Sequence, residues 1–346
     1  MSHLFSLSQL GWKAFYQQQL SLEEWETYTP CRVMAQHRSG LELLSESGPL
    51  TLPSSPNMPD LTVGDWILID ANGIFIRVLE RLSTFSRKAS GSKVSTQLIA
   101  ANIDTLFIVC SLNHDFNLSR LERYLALAKE NQVEAIVVLS KSDCCDDPSL
   151  YIKQTQSLDP LMIVEAVNGL DPLSIDVLRP WCKGGKTVAF VGSSGVGKST
   201  LVNALLNTSI QDTGSVRGDD SKGRHTTTGR SLHLMESGGL LLDTPGMREI
   251  QLADCEQGIE QAFAEILTLA DSCQFSNCQH HSEPGCSVKA AIESGDLDER
   301  RLNNYFKLMR EQAFNSASLA EKRAHYRKQS RFYRSVMSEA KHRKKK

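Results

Sequence analysis

No stretch of the chain approaches the roughly 20 consecutive apolar residues that a membrane-crossing helix needs. Met1-Ser2-His3-Leu4-Phe5 lacks the basic start and the long apolar run of an export signal. A disulfide framework is missing too: nine cysteines is an odd count, and Cys31, Cys110, Cys144, Cys145, Cys182 and Cys255 are scattered without framework spacing. These absences point away from membrane and secreted classes and towards a reducing cytoplasm. There is also little net charge, −2 in 346 residues, so the chain as a whole is neither an acidic nor a basic binder. With 40% hydrophobic and 23% charged residues it has the composition of an ordinary globular protein, long enough for roughly two or three domains.

The near-neutral total conceals an asymmetry. From Lys322 onward the chain is dominated by Lys and Arg and closes on Lys341-His342-Arg343-Lys344-Lys345-Lys346, so the remainder is acidic. A basic end of this kind suits a polyanionic partner, although a merely solvated tail has the same composition.

Residues 1–28 carry a short apolar-periodic piece and a polar, helix-compatible stretch, with no readable function. Between Cys31 and Glu80 the period becomes that of short strands, at residues 31–36, 40–44, 64–69 and 73–79, separated by Gly, Pro, Ser and Asn. That pattern predicts a small barrel of the oligonucleotide-binding kind. Arg77, Arg81, Arg87 and Lys88 favour its use on nucleic acid, and residues 83–95 read as a mobile basic loop. Strands and helices then alternate: apolar runs at 104–111 and 134–139 flank a helical pattern at 118–131, a βαβ unit of a parallel sheet.

The most specific stretch is Gly192-Ser193-Ser194-Gly195-Val196-Gly197-Lys198-Ser199-Thr200, between the apolar run 186–191 and the helical pattern 201–206. It fits G-x-x-x-x-G-K-[ST] in the strand-to-helix setting that a phosphate-binding loop requires. The glycines permit positive φ and bring backbone N–H groups close to phosphates. Lys198 is placed to reach the β- and γ-phosphates, and the Ser199 hydroxyl to join Mg²⁺. An empty glycine-rich turn has no evident use for Lys followed by Ser.

Three more segments belong with this loop. Ser140-Lys141-Ser142-Asp143 follows the apolar strand 134–139 and matches the guanine-reading tetrapeptide Asn-Lys-x-Asp except at its first residue. The Asp143 carboxylate would accept from the guanine ring N–H and amine, groups adenine does not present in that pattern. Serine at 140 has no amide, so one bracing hydrogen bond is expected to be lost and nucleotide affinity lowered. Residues 212–223 lead into Arg224-His225-Thr226-Thr227-Thr228, a candidate switch whose Thr227 or Thr228 would contact Mg²⁺. Asp243-Thr244-Pro245-Gly246 matches D-x-x-G, Asp243 reaching Mg²⁺ through water and the Gly246 N–H sensing the γ-phosphate. The base-reading element precedes the phosphate loop, which precedes the switches, whereas the common order begins with the phosphate loop. A circular permutation gives this order without altering the sheet. After D-x-x-G comes Met247, which cannot orient water, and His225 is the nearest candidate for that catalytic role.

Cys273, Cys278, His280 and Cys286 supply three thiolates and an imidazole in a segment too polar to build a core, a donor set for a closed structural Zn²⁺ site. His281 is the alternative fourth ligand. Residues 290–312 and 317–340 read as helices. The expected architecture is multidomain α/β: an N-terminal segment and OB-like β-barrel (1–95), a permuted P-loop GTPase domain with a mostly parallel sheet (96–256), and a zinc-binding helical domain with a basic tail (257–346).

Val63-Gly64-Asp65-Trp66, Ala101-Asn102-Ile103-Asp104, Lys141-x-Asp143, the phosphate loop, Gly223-Arg224-His225-Thr226-Thr227-Thr228, Asp243-Thr244-Pro245-Gly246 and the Cys/Cys/His/Cys cluster together resemble the circularly permuted small-subunit biogenesis GTPases of the RsgA (YjeQ/YloQ) type. The resemblance spans about residues 5–320. It implies a late factor in 30S maturation that binds 16S rRNA near the decoding region, with GTP hydrolysis to GDP stimulated by the subunit and coupled to release. The histidine before the family's threonines falls on His225, and Ser140 is the departure. A monomeric cytoplasmic protein using Mg²⁺ with GTP or GDP, and one structural Zn²⁺, is the expectation. The alternatives are an RNA-binding factor whose nucleotide site is a latch with negligible turnover, or an ATP-dependent enzyme.

Overall fold

The computed structural model describes residues 4–37, 39–88, 96–113, 115–207, 230–243, 247 and 252–317. Two short helices, α1 (Ala14–Gln17) and α2 (Leu22–Thr27), come first. Ser21 caps α2 reciprocally: its hydroxyl accepts from Glu24 N, and its own N–H donates to the Glu24 carboxylate.

Strands β1 (Thr29–Gln36), β2 (Gly40–Ser45), β3 (Gly48–Pro53), β4 (Trp66–Ile69) and β5 (Phe75–Val78) pair antiparallel in the order β3-β2-β1-β4-β5. Alternate residues of these strands, Cys31, Val33, Leu41, Leu43, Leu52, Ile67 and Ile69, share one core with Phe75 and Val78. Both ends of the curled sheet therefore converge on one centre, as in the OB-like barrel the pattern predicts.

Residues 83–95 were expected as a loop, but Thr84–Lys88 is a strand, β6, paired with β7 (Thr96–Ala101). Ser86, Arg87 and Lys88 follow Phe85 in sequence and leave no apolar alternation to read. Phe85 is the anchor, 1% exposed and packed in the same core as Ile99 and Ala100.

The central layer comprises β8 (Thr105–Ser111), α3 (Leu118–Glu130), β9 (Glu134–Ser140), α4 (Pro148–Gln156), β10 (Ile163–Val167), α5 (Pro172–Ile175), β11 (Thr187–Val191), α6 (Lys198–Leu206), β12 (Arg230–Leu234) and β13 (Leu240–Asp243). The order is β10-β9-β8-β11-β13-β12, parallel as far as β13, with β12 antiparallel. Strand alternation divides the apolar runs between two cores. Leu106, Ile108, Val137, Leu139, Ala189 and Val191 face α3, while Phe107, Val109, Ile136, Val138, Val188 and Phe190 face α6. Burial on both faces is why these strands read as continuous apolar runs. β12 also pairs with β1, so the sheet runs unbroken from the nucleotide layer into the barrel.

The two family-like tetrapeptides form the joint between these units. A Cβ on Gly64 (φ +93°) would lie 2.1 Å from the Ala101 carbonyl oxygen, so only glycine fits there. Asn102 Nδ2 donates to Gly64 O at 2.9 Å, and Asp104 Oδ2 accepts from the N–H of Thr187, the first residue of β11, at 2.8 Å. Arg32, 1% exposed, donates to the carbonyls of Leu10 and Asn102 and to Thr187 Oγ1.

The last unit contains α7 (Glu256–Ala262), α8 (Ala264–Asp271), α9 (Ser287–Ser294) and α10 (Glu299–Ser316). The single helix expected over 290–312 is interrupted: α9 ends at Gly295 (φ +84°), and Asp298 caps α10 by accepting from Arg300 N. The helix expected at 317–340 falls outside the described residues, apart from Ala317 at the end of α10.

Candidate functional site

Because β8, β9, β10, β11 and β13 run parallel, their carboxyl ends lie on one edge, where open α/β sheets bind ligands. The loop after β11 has positive φ at Gly192 (+145°), Gly195 (+78°) and Gly197 (+93°). At Gly192 the reason is also steric, since a Cβ would sit 2.3 Å from Val109 O. Lys198 begins α6 and is 8% exposed. Its ammonium donates to Gly192 O at 2.8 Å and to Ser193 O, so it arches back over the loop's mouth. Ser199 and Thr200 follow on the first helical turn, where unpaired N–H groups and the helix dipole favour an anion.

The loop after β9, expected to read the base, is stitched to this one. Ser140, 2% exposed at the end of β9, donates from Oγ to Val196 O at 2.5 Å, and Lys141 (φ +57°) donates from Nζ to Gly195 O at 2.8 Å. The bracing contact expected to be missing without asparagine is thus made by the hydroxyl, on the phosphate loop itself. Ser142 and Asp143 lie in the short 3₁₀ turn that follows, with the Asp143 carboxylate exposed and accepting from Cys144 Sγ at 3.5 Å.

Asp243 ends β13, half-buried and directly opposite Ser231 of β12. Ser231 Oγ lies 2.8 Å from His233 Nε2; burial lowers the pKa of that imidazole, and the Asp243 charge opposes the shift. Met247 is 2% exposed in the α3-side core and takes no part in the pocket. His225, Thr226, Thr227, Thr228, Thr244, Pro245 and Gly246 lie outside the described residues.

Another loop reaches the site without having been anticipated. After β10, a Cβ on Gly169 would be 3.4 Å from Thr200 Cγ2, so Gly169 borders the first turn of α6. Its one sequence signal was the short apolar piece Ile163–Val167, whose Glu165 interrupts the run.

In the C-terminal unit, the ligand atoms of Cys273, Cys278, His280 and Cys286 all lie within 4.8 Å of one another. Sγ–Nδ1 separations of 3.6 Å (Cys273–His280) and 3.5 Å (Cys286–His280), and 3.9 Å between the sulfurs of Cys273 and Cys286, match the edges of a tetrahedron with bonds of about 2.3 Å, which are about 3.8 Å. The donor set and its spacing therefore fit Zn²⁺. His281 is not in the cluster; its ring lies 5.8 Å from that of Phe306. The Glu283 carboxylate accepts from the N–H groups of Gln279, His281 and Ser282, which holds its pKa down at about 2. Cys286 Sγ accepts from Lys289 N at 3.4 Å, tying the cluster to α9.

Two of the arginines expected on a nucleic-acid face have other work. Arg77 makes a forked pair with Glu24 and donates to Gln19 O, and Arg81 makes one with fully buried Asp65 and donates to Asp60 O. Both brace the barrel. Arg87 and Lys88 remain on β6.

The sheet, the glycine loop leading into α6 and the order of the loops along the chain define a circularly permuted P-loop GTPase. A sequence profile of the RsgA GTPase family matches residues 78–253. Small ribosomal subunit biogenesis GTPase RsgA 2 of Vibrio parahaemolyticus is 59% identical over 333 residues, 96% of this chain and 93% of its own length. The protein of the same name from Vibrio vulnificus is 56% identical over 98% of this chain and 97% of its own. The crystal structure of YjeQ from Thermotoga maritima matches with TM-score 0.60 at 25% identity, over 82% of this chain and 98% of that one. YloQ, a circularly permuted GTPase, shares the fold with TM-score 0.60 at 23% identity, over 84% of this chain and 97% of its own. The chain belongs to the RsgA GTPase family and is a GTP-hydrolysing enzyme. Among the described residues, no helix is long and apolar enough to cross a membrane.

Proposed function

We propose that this GTPase acts on the small ribosomal subunit, binding 16S rRNA during late maturation and hydrolysing GTP faster when the subunit is bound. The stitching of the 140–143 loop to the phosphate loop, Ser140 to Val196 and Lys141 to Gly195, carries the nucleotide half of this reading, because it holds the two segments against each other. The names of its relatives carry the ribosomal half.

In this reading the N–H groups of residues 192–200 cradle the phosphates, Lys198 leaves its loop carbonyls for the β- and γ-phosphates, and Asp143 selects guanine. Ser199, Asp243 and Thr227 or Thr228 hold Mg²⁺, which supplies charge neutralisation on the phosphates, and the Gly246 N–H senses the γ-phosphate. His225 orients the attacking water. Cys273, Cys278, His280 and Cys286 hold one structural Zn²⁺ in place of a core. The working form is a cytoplasmic monomer of three units, 1–95, 96–256 and 257–346.

GTP turnover with and without 30S subunits tests this, with Lys198→Ala as control. Stimulated turnover abolished in the control is the expected result; wild-type turnover unmoved by subunits sinks the proposal. One observation favours a second reading, an assembly factor whose nucleotide is only a latch: Met247, in the place where a water-orienting side chain would stand, is buried in the core. Nucleotide-dependent subunit binding without turnover would decide for it.

A further inference from the structure

A short polar strip lies beside the D-x-x-G aspartate on the α6 side of the sheet. Strands β12 and β13 pair antiparallel with Ser231 opposite Asp243, Leu232 opposite Leu242 and His233 opposite Leu241. Directly opposed residues share a face, and successive residues alternate between faces. Leu232 and Leu242 lie in the α3-side core, whereas Leu241 packs with Leu201, Val202 and Leu205 of α6. Ser231, His233 and Asp243, all half-buried, therefore project towards α6, the helix that begins at Lys198.

Ser231 stands at the middle of the strip. Its Oγ lies 2.8 Å from His233 Nε2. Opposed side chains in an antiparallel pair have Cβ atoms about 4.5–5.5 Å apart, which puts the Asp243 carboxylate within reach of the same hydroxyl. The Ser231 backbone is held on both sides, by Ala35 of β1 and Asp243 of β13, so the sheet itself sets where that hydroxyl sits.

The protons available decide what such a strip can do. Burial lowers the pKa of His233, so near neutral pH the ring carries one N–H, and a serine hydroxyl has one O–H. With the ring proton on Nε2, the imidazole donates to Ser231 Oγ and the serine proton is free for the carboxylate. With it on Nδ1, Nε2 draws the serine proton and the carboxylate receives none. A hydrogen bond to a charged acceptor is the stronger one, so the anion at the end of the chain favours the first arrangement.

We infer that His233 is a positioning residue for Asp243 and acts through Ser231: Nε2–H donates to Oγ, and Oγ–H donates to one carboxylate oxygen, leaving the other to face Mg²⁺. The inference rests on the reading of Asp243 as an aspartate that reaches Mg²⁺, and adds what aims it. Groups that orient a metal-binding carboxylate typically contribute about 10–100-fold to metal affinity. Because Asp243 reaches the ion through water, about tenfold is expected.

The test follows release of a fluorescent GDP from the full chain over a Mg²⁺ series. Ser231→Ala and His233→Phe should each raise the half-effective Mg²⁺ concentration about tenfold, and the double variant no further, because both cut one chain. His233→Gln places an amide N–H where Nε2–H stood and should stay near wild type. An unchanged Mg²⁺ dependence in Ser231→Ala or His233→Phe overturns the inference, as does an additive loss in the double variant. So does a His233→Gln protein as impaired as His233→Phe, since packing of the ring would then be what matters. If His233→Phe folds poorly, Ser231→Ala decides this arm.

Asp243→Asn separates the two ways of failing. If it leaves the Mg²⁺ dependence at wild type, the magnesium reading of Asp243 falls. The ring ¹⁵N shifts of His233, recorded at pH 8 without nucleotide, then decide the chain of hydrogen bonds by themselves. A proton on Nε2, with a signal that moves in both Ser231→Ala and Asp243→Asn, is the expected result, and a proton on Nδ1 overturns it.

Discussion

Glu122, 1% exposed on α3, accepts from Arg301 Nη1 of α10 at 3.1 Å and joins the nucleotide layer to the C-terminal unit through that contact. The same carboxylate takes a forked pair from Arg300 at 3.0 and 3.1 Å and a bond from Asn304 Nδ2. Arg301 also donates to the carbonyls of Leu158 and Ala262 and to Glu265, and its guanidinium lies 4.8 Å over the Phe263 ring. One buried anion thus satisfies two cations and positions the first turn of α10.

Removing that anion leaves Arg301 with only the part-exposed Glu265 as counter-charge, so the cost stays below the roughly 3–5 kcal/mol of a buried pair broken from one side. Glu122→Ala is expected to lower the urea midpoint accordingly and to speed hydrogen exchange in the first turns of α10. An unchanged midpoint would show that solvent reaches this carboxylate.

In the proposed site, the two ends of the tetrapeptide have separate tasks: Asp143 reads the base and Ser140 braces the phosphate loop. Asp143→Asn replaces an acceptor by a donor, so GTP binding should weaken by at least about 100-fold while xanthosine triphosphate, with a carbonyl where guanine has its amine, becomes the better ligand. Ser140→Ala should leave base preference alone and weaken both nucleotides by about tenfold, since it removes one buried hydrogen bond worth about 1 kcal/mol and leaves the Val196 carbonyl unpaired. Titration with fluorescent nucleotides separates them. A loss of base preference in Ser140→Ala would contradict this division.

The strands of the parallel layer were legible because burial on both faces leaves long apolar runs, as at residues 105–111 and 134–140. The phosphate loop and the cluster of Cys273, Cys278, His280 and Cys286 were legible because their chemistry fixes residue type and spacing together. Three things were not. The β6 strand Thr84–Lys88 has one large apolar residue, Phe85, so its sequence reads as a polar loop. The Gly169 loop lies by Thr200 through tertiary closure of the sheet, which leaves no local mark. The partners of Arg77 and Arg81 are Glu24 and Asp65, and an arginine's sequence neighbours do not reveal which acid it will meet. Ser140 is a different case: its residue type was read as a loss, and the distance to Val196 shows a shorter side chain making a contact to the loop.

The zinc cluster yields a prediction about folding rather than turnover. Purified protein should carry one zinc per chain by elemental analysis, and Cys278→Ser or strong chelation should expose α8 and α9 to protease while the nucleotide layer stays folded, because its α6-side core contains no residue of that segment. Resistance of the 264–294 segment to protease after complete zinc removal would mean that its apolar contacts suffice alone.

Acid should loosen the N-terminal unit through Glu24. The hydrogen bond from Arg77, followed by that from the Ser21 N–H, holds this carboxyl at about 2, below its ordinary 4.5. A carboxyl with a depressed folded pKa contributes stability above its unfolded value, and that contribution disappears as pH falls from about 4.5 towards 2. Over this window the Arg77 fork and the α2 capping box should weaken together, seen as a carboxyl carbon shift titrating near pH 2 and as faster exchange of the Glu24 N–H. Glu24→Gln should remove the titration and leave α2 equally labile at pH 7 and pH 3. A Glu24 carbon titrating at its ordinary value would mean that the fork to Arg77 does not persist in solution.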